Sequence, residues 1–472
     1  MNLPNVLLIT TDQHNADIFG YAGNPVVETP NIDRLAETGA VFTSAFTPHP
    51  TCTPARTSIF TGQYAKKHTV YNNINVTPRE EIQSRENYLP ADVVAFPEAL
   101  AKNGYDTSLF GKLHTKQNGD ANFGIQLMKL AEGKGQFVRL GSPDDDYRCY
   151  LKEKGYSDEV WKTWELPEYG ATGRVTSQLP EEDYIDVWTA TEAVKHLAVV
   201  ERPFFSWVSF SGPHTPWDPP VPYDAMYNHA DISMPRRRQG ELEEKNPWWV
   251  DCIAQTIPAC PAGSIDFSRE GGIENAYNRF SDEQIQGMLA AYYGQVTLID
   301  KQIGRVLDTL EKRNLLENTI VIFTADHGDC LGNNWAFYKQ AALYDSVVRV
   351  PMVVSWPGHV REGSTCDKLV SLIDIAPTLL DLAGVEAPVG MDGMSLCPFL
   401  EGRNADWRDE IPVVGGPVNA IMTDTWKYIE WRRGFQELYN RKEDSGSLYN
   451  VAGRPENAAI CDELSEHLNA AL

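Results

Sequence analysis

The residues best suited to chemistry stand near the two ends of the chain. Asp12-Gln13 follows an apolar run close to the start, and Asp326-His327 follows another apolar run far along the sequence. Two carboxylates with an amide or an imidazole are suitable ligands for a divalent cation, and their oxygen atoms favour Ca²⁺, Mg²⁺ or Mn²⁺. An aspartate after a strand can also cap the next helix or turn, and the spacing alone leaves both interpretations open.

A lone cysteine is the second candidate, Cys52 in the segment PTCTPARTSIFTG. A cysteine just before the start of a helix would have its charged form favoured by the helix dipole and by Arg56. Pro54 suits the first position of such a helix. The simpler interpretation is a small buried thiol, and the spacing alone favours it.

The elements that must position these residues alternate between strands and helices. The sequence predicts strands over 5–10, 105–110, 204–210 and 319–324, and helices over 29–38, 96–103 and 281–314. A capping box between Ser281 and Gln284 marks the start of the last helix. This order predicts an α/β fold with a mainly parallel central sheet sandwiched by helices. In such sheets ligands bind at the carboxyl ends of the strands, where the polar clusters stand.

Two long polar stretches and a change of pattern near the C-terminus define the predicted domains. Residues 115–185 and 216–280 are too long for simple connections, so we expect them to be excursions around the site. Short strands over 411–415, 420–423 and 427–431 and a helix over 455–472 predict a smaller α+β subdomain. We therefore expect a catalytic α/β domain over 1–375 and a C-terminal subdomain over 376–472.

The composition restricts the partners. Lys and Arg number 41 against 65 Asp and Glu, so the formal net charge is −24. This charge argues against nucleic acid and against an anionic membrane surface. No apolar run approaches the roughly 18 residues of a membrane span, and the start lacks the basic stretch and long apolar core of a signal peptide. We therefore expect a cytoplasmic protein, in which the eight cysteines, none in a CxxC pair, are mostly reduced.

The segment Cys52-Thr53-Pro54-Ala55-Arg56, with Thr61-Gly62 after it, resembles the signature of the type I sulfatases of the alkaline phosphatase superfamily. The segments NVLLITTDQ, TPNIDRLAETGAVFTSAF, GKLH, PHTP, TADHG, WAFYKQ and ELYN also match, in order, over nearly the whole chain. The resemblance implies an alkaline-phosphatase-like fold and hydrolysis of a sulfate monoester, either an aryl sulfate or a sulfated sugar.

The resemblance also assigns the nucleophile and its metal. It implies that a formylglycine-generating enzyme converts Cys52 to formylglycine (3-oxoalanine), whose hydrate attacks sulfur. Asp12, Gln13, Asp326, His327 and the modified Cys52 would ligate a divalent metal. Ca²⁺ is the first expectation, and the choice of Gln13 and His327 leaves Mn²⁺ and Mg²⁺ open.

Further roles follow from the same resemblance. Arg56 would hold one hydrate oxygen, and Lys112 and Lys339 would neutralise the sulfate oxygens. His214, with Lys339 as the alternative, would protonate the leaving group, and His114 would help the second hydrate oxygen lose its proton. Taken singly, these lysines and histidines are ordinary surface or loop residues, and only the joint pattern favours a catalytic role.

A basic run and one asparagine are the candidate substrate contacts. Arg236, Arg237 and Arg238 form a basic run followed by Trp248-Trp249, which together could bind an anionic ring such as a sulfated sugar. A solvated loop and a core aromatic pair are the simpler interpretation. Asn73 is a further candidate contact, with an ordinary turn residue as the alternative.

Two other functions compete with sulfate ester hydrolysis. A phosphonate monoester or phosphodiester hydrolase resembles the sulfatases in the same core motif. A non-catalytic glycan- or anion-binding relative would have lost a central residue, yet Cys52, Arg56, Lys112, His214 and Lys339 are all present. The sequence leaves homo-oligomers open.

Overall fold

The architecture comes from a computed structural model. It describes residues 3–73, 88–116, 122–134, 145–161, 163, 172–201, 203–250, 280–339, 343–432 and 434–472. The strands are β1 Asn5–Thr11, β2 Ala40–Phe42, β3 Ala45–Phe46, β4 Asp106–Gly111, β5 Leu127–Leu130, β6 Phe204–Ser209, β7 Thr319–Ala325, β8 Met352–Ser355, β9 Ser364–Cys366, β10 Val370–Ser371, β11 Glu410–Val414, β12 Val418–Thr423, β13 Trp426–Trp431 and β14 Gln436–Asn440. The helices are α1 Pro30–Thr38, α2 Cys52–Thr61, α3 Ala65–His68, α4 Phe96–Lys102, α5 Asp146–Glu153, α6 Ile185–Leu197, α7 Asp282–Lys312, α8 Asp345–Val348, α9 Ile375–Leu382, α10 Cys397–Leu400 and α11 Ala458–Ala471.

The main sheet has eight strands in the order β5-β4-β6-β1-β7-β8-β2-β9. β1 pairs in parallel with β6 and β7, while β8 runs antiparallel to both of its neighbours. The sequence prediction of a mainly parallel α/β sheet is confirmed. Strand β5 lies within the first predicted excursion, so part of that segment belongs to the sheet.

Helices cover both faces of the sheet because the central strands are apolar on both sides. Val6 and Leu8 of β1 pack in a core with residues of α2, α4 and α9. Leu7 and Ile9, which point to the opposite face, pack with residues of α1, α6 and α7. Continuous burial along β1 is typical of a strand inside a parallel sheet with helices on both sides.

The C-terminal part forms a second, antiparallel sheet in the order β11-β12-β13-β14. One face of this sheet packs against α11, and the other joins the core that contains Trp249 and Tyr344. The predicted α+β character is confirmed, although the sequence analysis missed β14. The boundary between residues 375 and 376 stays a prediction.

Helix α2 begins differently from the prediction. It starts at Cys52 with Thr51 as its N-cap, so Pro54 occupies the third helical position and not the first. The helix ends at Thr61 and is capped by Gly62, whose φ of 63° lies in the left-handed region that glycine adopts without strain. The Thr61-Gly62 pair of the signature is thus the end of the helix that carries Cys52 and Arg56.

Candidate active site

The predicted site residues meet where neighbouring strands end. Asp12 follows β1, Asp326 follows β7, and Lys112 follows β4. The order β4-β6-β1-β7 places these three strand ends along one edge of the sheet. His214 stands a few residues beyond β6, in the loop at the same edge. This is the position at which doubly wound sheets bind ligands.

Four residues form a buried cluster that fits a divalent cation. Asp12, Cys52, Asp326 and His327 each offer an atom, and these atoms lie within 4.8 Å of one another. The Sγ atom of Cys52 is 3.2 Å from Nε2 of His327 and 3.7 Å from Oδ1 of Asp12. His327 donates from Nδ1 to the Gly328 carbonyl at 2.9 Å, which leaves Nε2 as the ring nitrogen directed into the cluster.

Gln13 lies beside this set and brings an amide oxygen next to Lys339. Its Oε1 accepts a hydrogen bond from Lys339 Nζ at 3.2 Å, whereas its Nε2 donates to Asp329 Oδ2 at 2.5 Å. Its backbone N–H donates to Oδ1 of Asp326 at 3.2 Å. Two carboxylates, an imidazole nitrogen and an amide oxygen suit Ca²⁺, Mn²⁺ or Mg²⁺.

Arg56 contacts both carboxylates of the cluster. Its fully buried guanidinium donates from Nε to Asp326 Oδ2 at 2.9 Å and from Nη2 to Asp12 Oδ2 at 3.5 Å. Its Nη1 donates to the Lys112 carbonyl at 2.9 Å and to Ser209 Oγ at 2.7 Å. A planar donor fork with several fixed acceptors orients both carboxylates.

Two lysines bring further positive charge to the cluster. Lys112 forms a buried ion pair with Asp12. Lys339 Nζ lies 3.0 Å from Cys52 Sγ and 3.3 Å from Nε2 of His327. Within a chain of net charge −24, these contacts concentrate positive potential in one small pocket.

The charges control the ionisation of Asp12 and Cys52. Burial alone would raise the pKa of Asp12, but the positive charges of Lys112, Arg56 and Lys339 outweigh it and hold that pKa well below its ordinary value. Burial and Asp12 would raise the pKa of the Cys52 thiol, yet Lys339, Lys112 and His327 hold it well below its ordinary value. The pocket therefore stabilises negative charge at the side chain of residue 52.

The two predicted catalytic histidines are neutral in this environment. Burial, with Lys339, lowers the pKa of His214 to about 3, and its Nδ1 donates to the Thr215 carbonyl at 2.7 Å. Burial and Lys112 lower the pKa of His114 well below its ordinary value. The backbone N–H of His114 donates to Glu132 Oε2 at 3.0 Å, which fixes the loop after β4.

Asn73 lies beside the helix that carries the nucleophile. Its Oδ1 accepts a hydrogen bond from the backbone N–H of Thr53 at 3.0 Å. That N–H belongs to the first turn of α2, where backbone donors bind acceptors outside the helix. The contact is a helix-start contact next to Cys52, and a role of Asn73 in substrate binding stays a prediction.

The basic run is divided among different contacts. Arg236 exposes 59% of its side chain and lines a surface cavity of about 270 Å³ with Asp17 and Arg349. Arg237 pairs with Asp282 at 3.2 Å, and Arg238 pairs with Glu244 at 2.7 Å. Of the three arginines, Arg236 has the side chain most open to solvent.

The tryptophan pair is also divided. Trp249 is fully buried and packs edge-on against Tyr344, with ring centroids 5.2 Å apart. Trp248 is 48% exposed and stands at the edge of Trp431. The simpler interpretation, a core aromatic, therefore describes Trp249.

Two residues of the site, Ser209 and Asp329, were not predicted from the sequence. Ser209 accepts from Arg56 and donates to the Lys112 carbonyl at 2.6 Å. Its position at the carboxyl end of a predicted strand is the sequence feature that could have indicated a place in the site. Asp329 holds Gln13 and follows the Asp326-His327 pair closely, but a second acidic residue in that stretch carries no signal of its own.

Comparison with known proteins identifies the family. The family model described as Sulfatase matches residues 4–385. The chain belongs to the sulfatase family. A second model, described as N-sulphoglucosamine sulphohydrolase, C-terminal, matches residues 333–472 of this sulfatase. The predicted family and enzyme class are confirmed.

Individual relatives cover nearly the whole sulfatase chain. An arylsulfatase of Clostridium perfringens is 29% identical, over 98% of this chain and 93% of the relative. An ulvan-active sulfatase of Formosa agariphila is 28% identical, over 99% of this chain and 81% of the relative. The crystal structure of a phosphonate monoester hydrolase of Agrobacterium radiobacter superposes with a TM-score of 0.81 at 25% identity, covering 99% and 95% of the two chains. The predicted alkaline-phosphatase-like fold is confirmed.

Among the described residues of this sulfatase, no helix combines the length and the apolar character needed to cross a membrane.

Proposed function

We propose that this sulfatase cleaves a sulfate monoester, either an aryl sulfate or a sulfated sugar, through a formylglycine formed at Cys52. The observation that carries the proposal is the setting of Cys52. Its Sγ lies 3.0 Å from Lys339 Nζ and 3.2 Å from His327 Nε2, at the N-terminus of α2. In this place Sγ stands in for an oxygen of the formylglycine hydrate, and the surrounding charges that favour a thiolate would also favour an oxyanion.

A divalent metal would be held by Asp12, Gln13, Asp326, His327 and the modified residue 52. Ca²⁺ is our first choice, with Mn²⁺ and Mg²⁺ as alternatives, because Gln13 and His327 reduce the number of carboxylates in the ligand set. Such an ion supplies positive charge that polarises a sulfate oxygen and favours the ionised nucleophile.

The chain's own cations would bind and orient the sulfate group. Lys112 and Lys339 flank the nucleophile and would neutralise two non-bridging oxygens, which lowers the repulsion met by an incoming anion. Arg56 keeps Asp12 and Asp326 in place and so fixes the direction of attack. The net reaction consumes one ester and one water, breaks the bond between sulfur and the ester oxygen, and releases an alcohol and sulfate.

His214 would donate the proton that the leaving oxygen needs. Its Nδ1–H is bound to the Thr215 carbonyl, so the exchangeable proton belongs on Nε2. The low pKa of His214 describes the site without substrate, where burial and Lys339 oppose a positive ring. The negative charge of a bound sulfate ester and of the developing alkoxide would favour the protonated ring. Lys339 is the alternative donor, and His114 would assist the release of sulfate.

Substrates larger than the sulfate group would extend from this pocket. The relatives include an ulvan-active sulfatase, which supports a sulfated saccharide as one substrate class. We propose Asn73 and Arg236 to Arg238 as candidate contacts for the rest of such a molecule. The formylglycine-generating enzyme would be the maturation partner.

A phosphonate monoester or phosphodiester hydrolase is the second candidate. The similarity to the Agrobacterium radiobacter phosphonate monoester hydrolase over almost the whole chain is the observation that favours it. Sulfate and phosphonate monoesters share a tetrahedral centre and negative oxygens, so the same cations suit both.

The modification of Cys52 and the preference for sulfate over phosphonate esters can be measured directly. We expect intact-mass analysis of protein from the native host to show formylglycine at position 52, and we expect the rate on an aryl sulfate to exceed the rate on the matching aryl phosphonate. The Cys52→Ala variant should retain the fold and lose both activities. An unmodified Cys52 in active protein would overturn the proposed nucleophile, and a phosphonate rate higher by orders of magnitude would select the second candidate.

A further inference from the structure

Asp329 is a buried carboxylate next to the active site. It is fully buried, and it follows His327 by two residues without joining the buried cluster around Cys52. Its Oδ1 accepts hydrogen bonds from the backbone N–H groups of Leu331 at 2.8 Å and of Tyr338 at 2.9 Å. Its Oδ2 accepts from Nε2 of Gln13 at 2.5 Å.

These three contacts leave Gln13 only one suitable orientation. The two backbone donors are fixed and hold Oδ1, so Oδ2 is the atom presented to Gln13. An acceptor at that position requires the NH₂ end of the Gln13 amide. The amide oxygen must then point the other way, where it lies 3.2 Å from Lys339 Nζ.

The orientation matters because the two ends of a glutamine amide have the same shape and opposite chemistry. Oε1 can ligate a cation and accept a hydrogen bond from Lys339. An NH₂ group in its place would point its hydrogens at the cation and at the Lys339 ammonium. An aspartate at position 13 would present an oxygen in either orientation. A glutamine therefore needs a partner that distinguishes its two ends.

We propose that Asp329 is a positioning residue that selects the amide orientation of Gln13, so that oxygen and not nitrogen faces the metal site. This role rests on the metal site of the proposed function. Asp329 also holds the backbone of Tyr338, the residue before Lys339, so one carboxylate aligns a ligand from the end of β1 with the segment that carries a cation.

The isosteric variant Asp329→Asn tests the role. The two backbone N–H groups would keep Oδ1 of the new asparagine, and its NH₂ group would take the place of Oδ2. Gln13 must then reverse its amide or leave two donors facing each other. We expect the affinity for Mn²⁺ to fall roughly tenfold to a hundredfold, the usual effect of losing a partner that orients a metal ligand.

The measurement uses Mn²⁺ as the probe and needs no turnover. Free Mn²⁺ is followed by electron paramagnetic resonance, and thermal unfolding in EDTA verifies that each variant is folded.

The swapped variant Gln13→Glu/Asp329→Asn restores the donor–acceptor match, because the asparagine NH₂ can donate to one glutamate oxygen while the other faces the metal. We expect it to regain Mn²⁺ affinity to within a few-fold of the wild type. Asp300→Asn, a change at a carboxylate that caps α1, is the matched control and should keep full affinity.

The outcomes separate this role from the proposed metal site. Wild-type affinity in folded Asp329→Asn would overturn the role of Asp329 and leave the metal site standing. A swapped variant as weak as Asp329→Asn would overturn the selection of the amide orientation. Failure of the wild type to bind Mn²⁺ or Ca²⁺ would overturn the metal site and this role together.

Discussion

At the scale of single residues, the pocket is dominated by positive groups placed against buried anions. Arg56 and Lys112, both buried, and Lys339, which is partly buried, surround Asp12 and Cys52. Removing one partner of such a cluster leaves the other charge buried without compensation. The arrangement is costly to maintain for stability alone, and it suits a site where negative charge develops during a reaction.

The identity of the proton donor can be decided by leaving-group dependence. For His214→Asn we expect kcat on an alkyl sulfate to fall roughly 10²- to 10⁴-fold, because the alkoxide requires a proton. On a nitrophenyl sulfate the loss should be much smaller, because that leaving group departs as a stable anion. The measurement is kcat across a series of sulfate esters with different leaving groups. Equal losses for all esters would refute His214 as the donor, and the same selective loss in Lys339→Met alone would transfer the role to Lys339.

At the scale of elements, helix α7 connects two parts of the core. Residues of its N-terminal half, such as Ile285 and Met288, pack in the core shared with the C-terminal sheet. Ile299 and Ile303 pack against the main sheet. The helix has 31 residues and its predicted capping box is confirmed, with Gln284 N–H donating to Ser281 Oγ at 3.2 Å. A stable start to this helix therefore supports both cores.

The Ser281 cap should contribute measurably to the stability of the protein. Ser281→Ala removes the side-chain acceptor of the Gln284 N–H group at the start of α7, and we expect the free energy of unfolding to fall by about 1 kcal/mol. Ser281→Asp keeps an acceptor and is favourable near the positive end of the helix dipole, so it should unfold like the wild type. Urea unfolding followed by circular dichroism measures both. Equal stability of all three proteins would show that the cap contributes nothing measurable.

At the scale of the whole molecule, a buried polar network joins the C-terminal sheet to Tyr344 and Lys245. Glu437 of β14 accepts hydrogen bonds from Tyr344 at 3.0 Å and from Tyr439 at 2.6 Å. Lys245 donates to the Tyr439 hydroxyl at 2.7 Å and to the Ser447 carbonyl at 2.8 Å. Because buried polar groups are costly unless they are paired, this network specifies one way of packing the sheet.

Buried histidines make the stability of the whole molecule sensitive to acid. Burial lowers the pKa of His68 to about 3, and its ring is held neutral by the Val70 N–H at Nδ1 and by a hydrogen bond to Ser58 Oγ. The unfolded chain binds a proton at the ordinary pKa of about 6.5. Between these two values the unfolded state holds more protons, so stability is complete at higher pH and is lost as the pH falls.

We therefore expect His68→Gln to reduce the acid sensitivity of folding. Between about pH 7 and about pH 5, the wild type should lose roughly 2 kcal/mol more of its unfolding free energy than the variant. The control is His467→Gln, at an exposed histidine whose pKa is raised by Glu410 and whose contribution is lost as pH rises. Urea unfolding at the two pH values provides the comparison. Parallel losses in wild type and His68→Gln would contradict the linkage.

The local sequence determined the family, the sheet and the position of the chemical groups along the chain. Apolar runs and turn residues act over a few positions, so the strand before Asp12 and the strand before Asp326 were both predictable. The same holds for the capping box at Ser281. The ligand types and the cysteine signature are also local, which is why the resemblance could be read from the chain alone.

Only the tertiary structure decided which groups touch. The orientation of Gln13 depends on Asp329, and the setting of Cys52 depends on Lys339, both of which are far away in sequence. No local pattern encodes such contacts, because they arise from the packing of separate strands and loops. The basic run shows the same limit: its three arginines are alike in sequence, yet Arg237 and Arg238 pair with Asp282 and Glu244 while Arg236 faces a cavity.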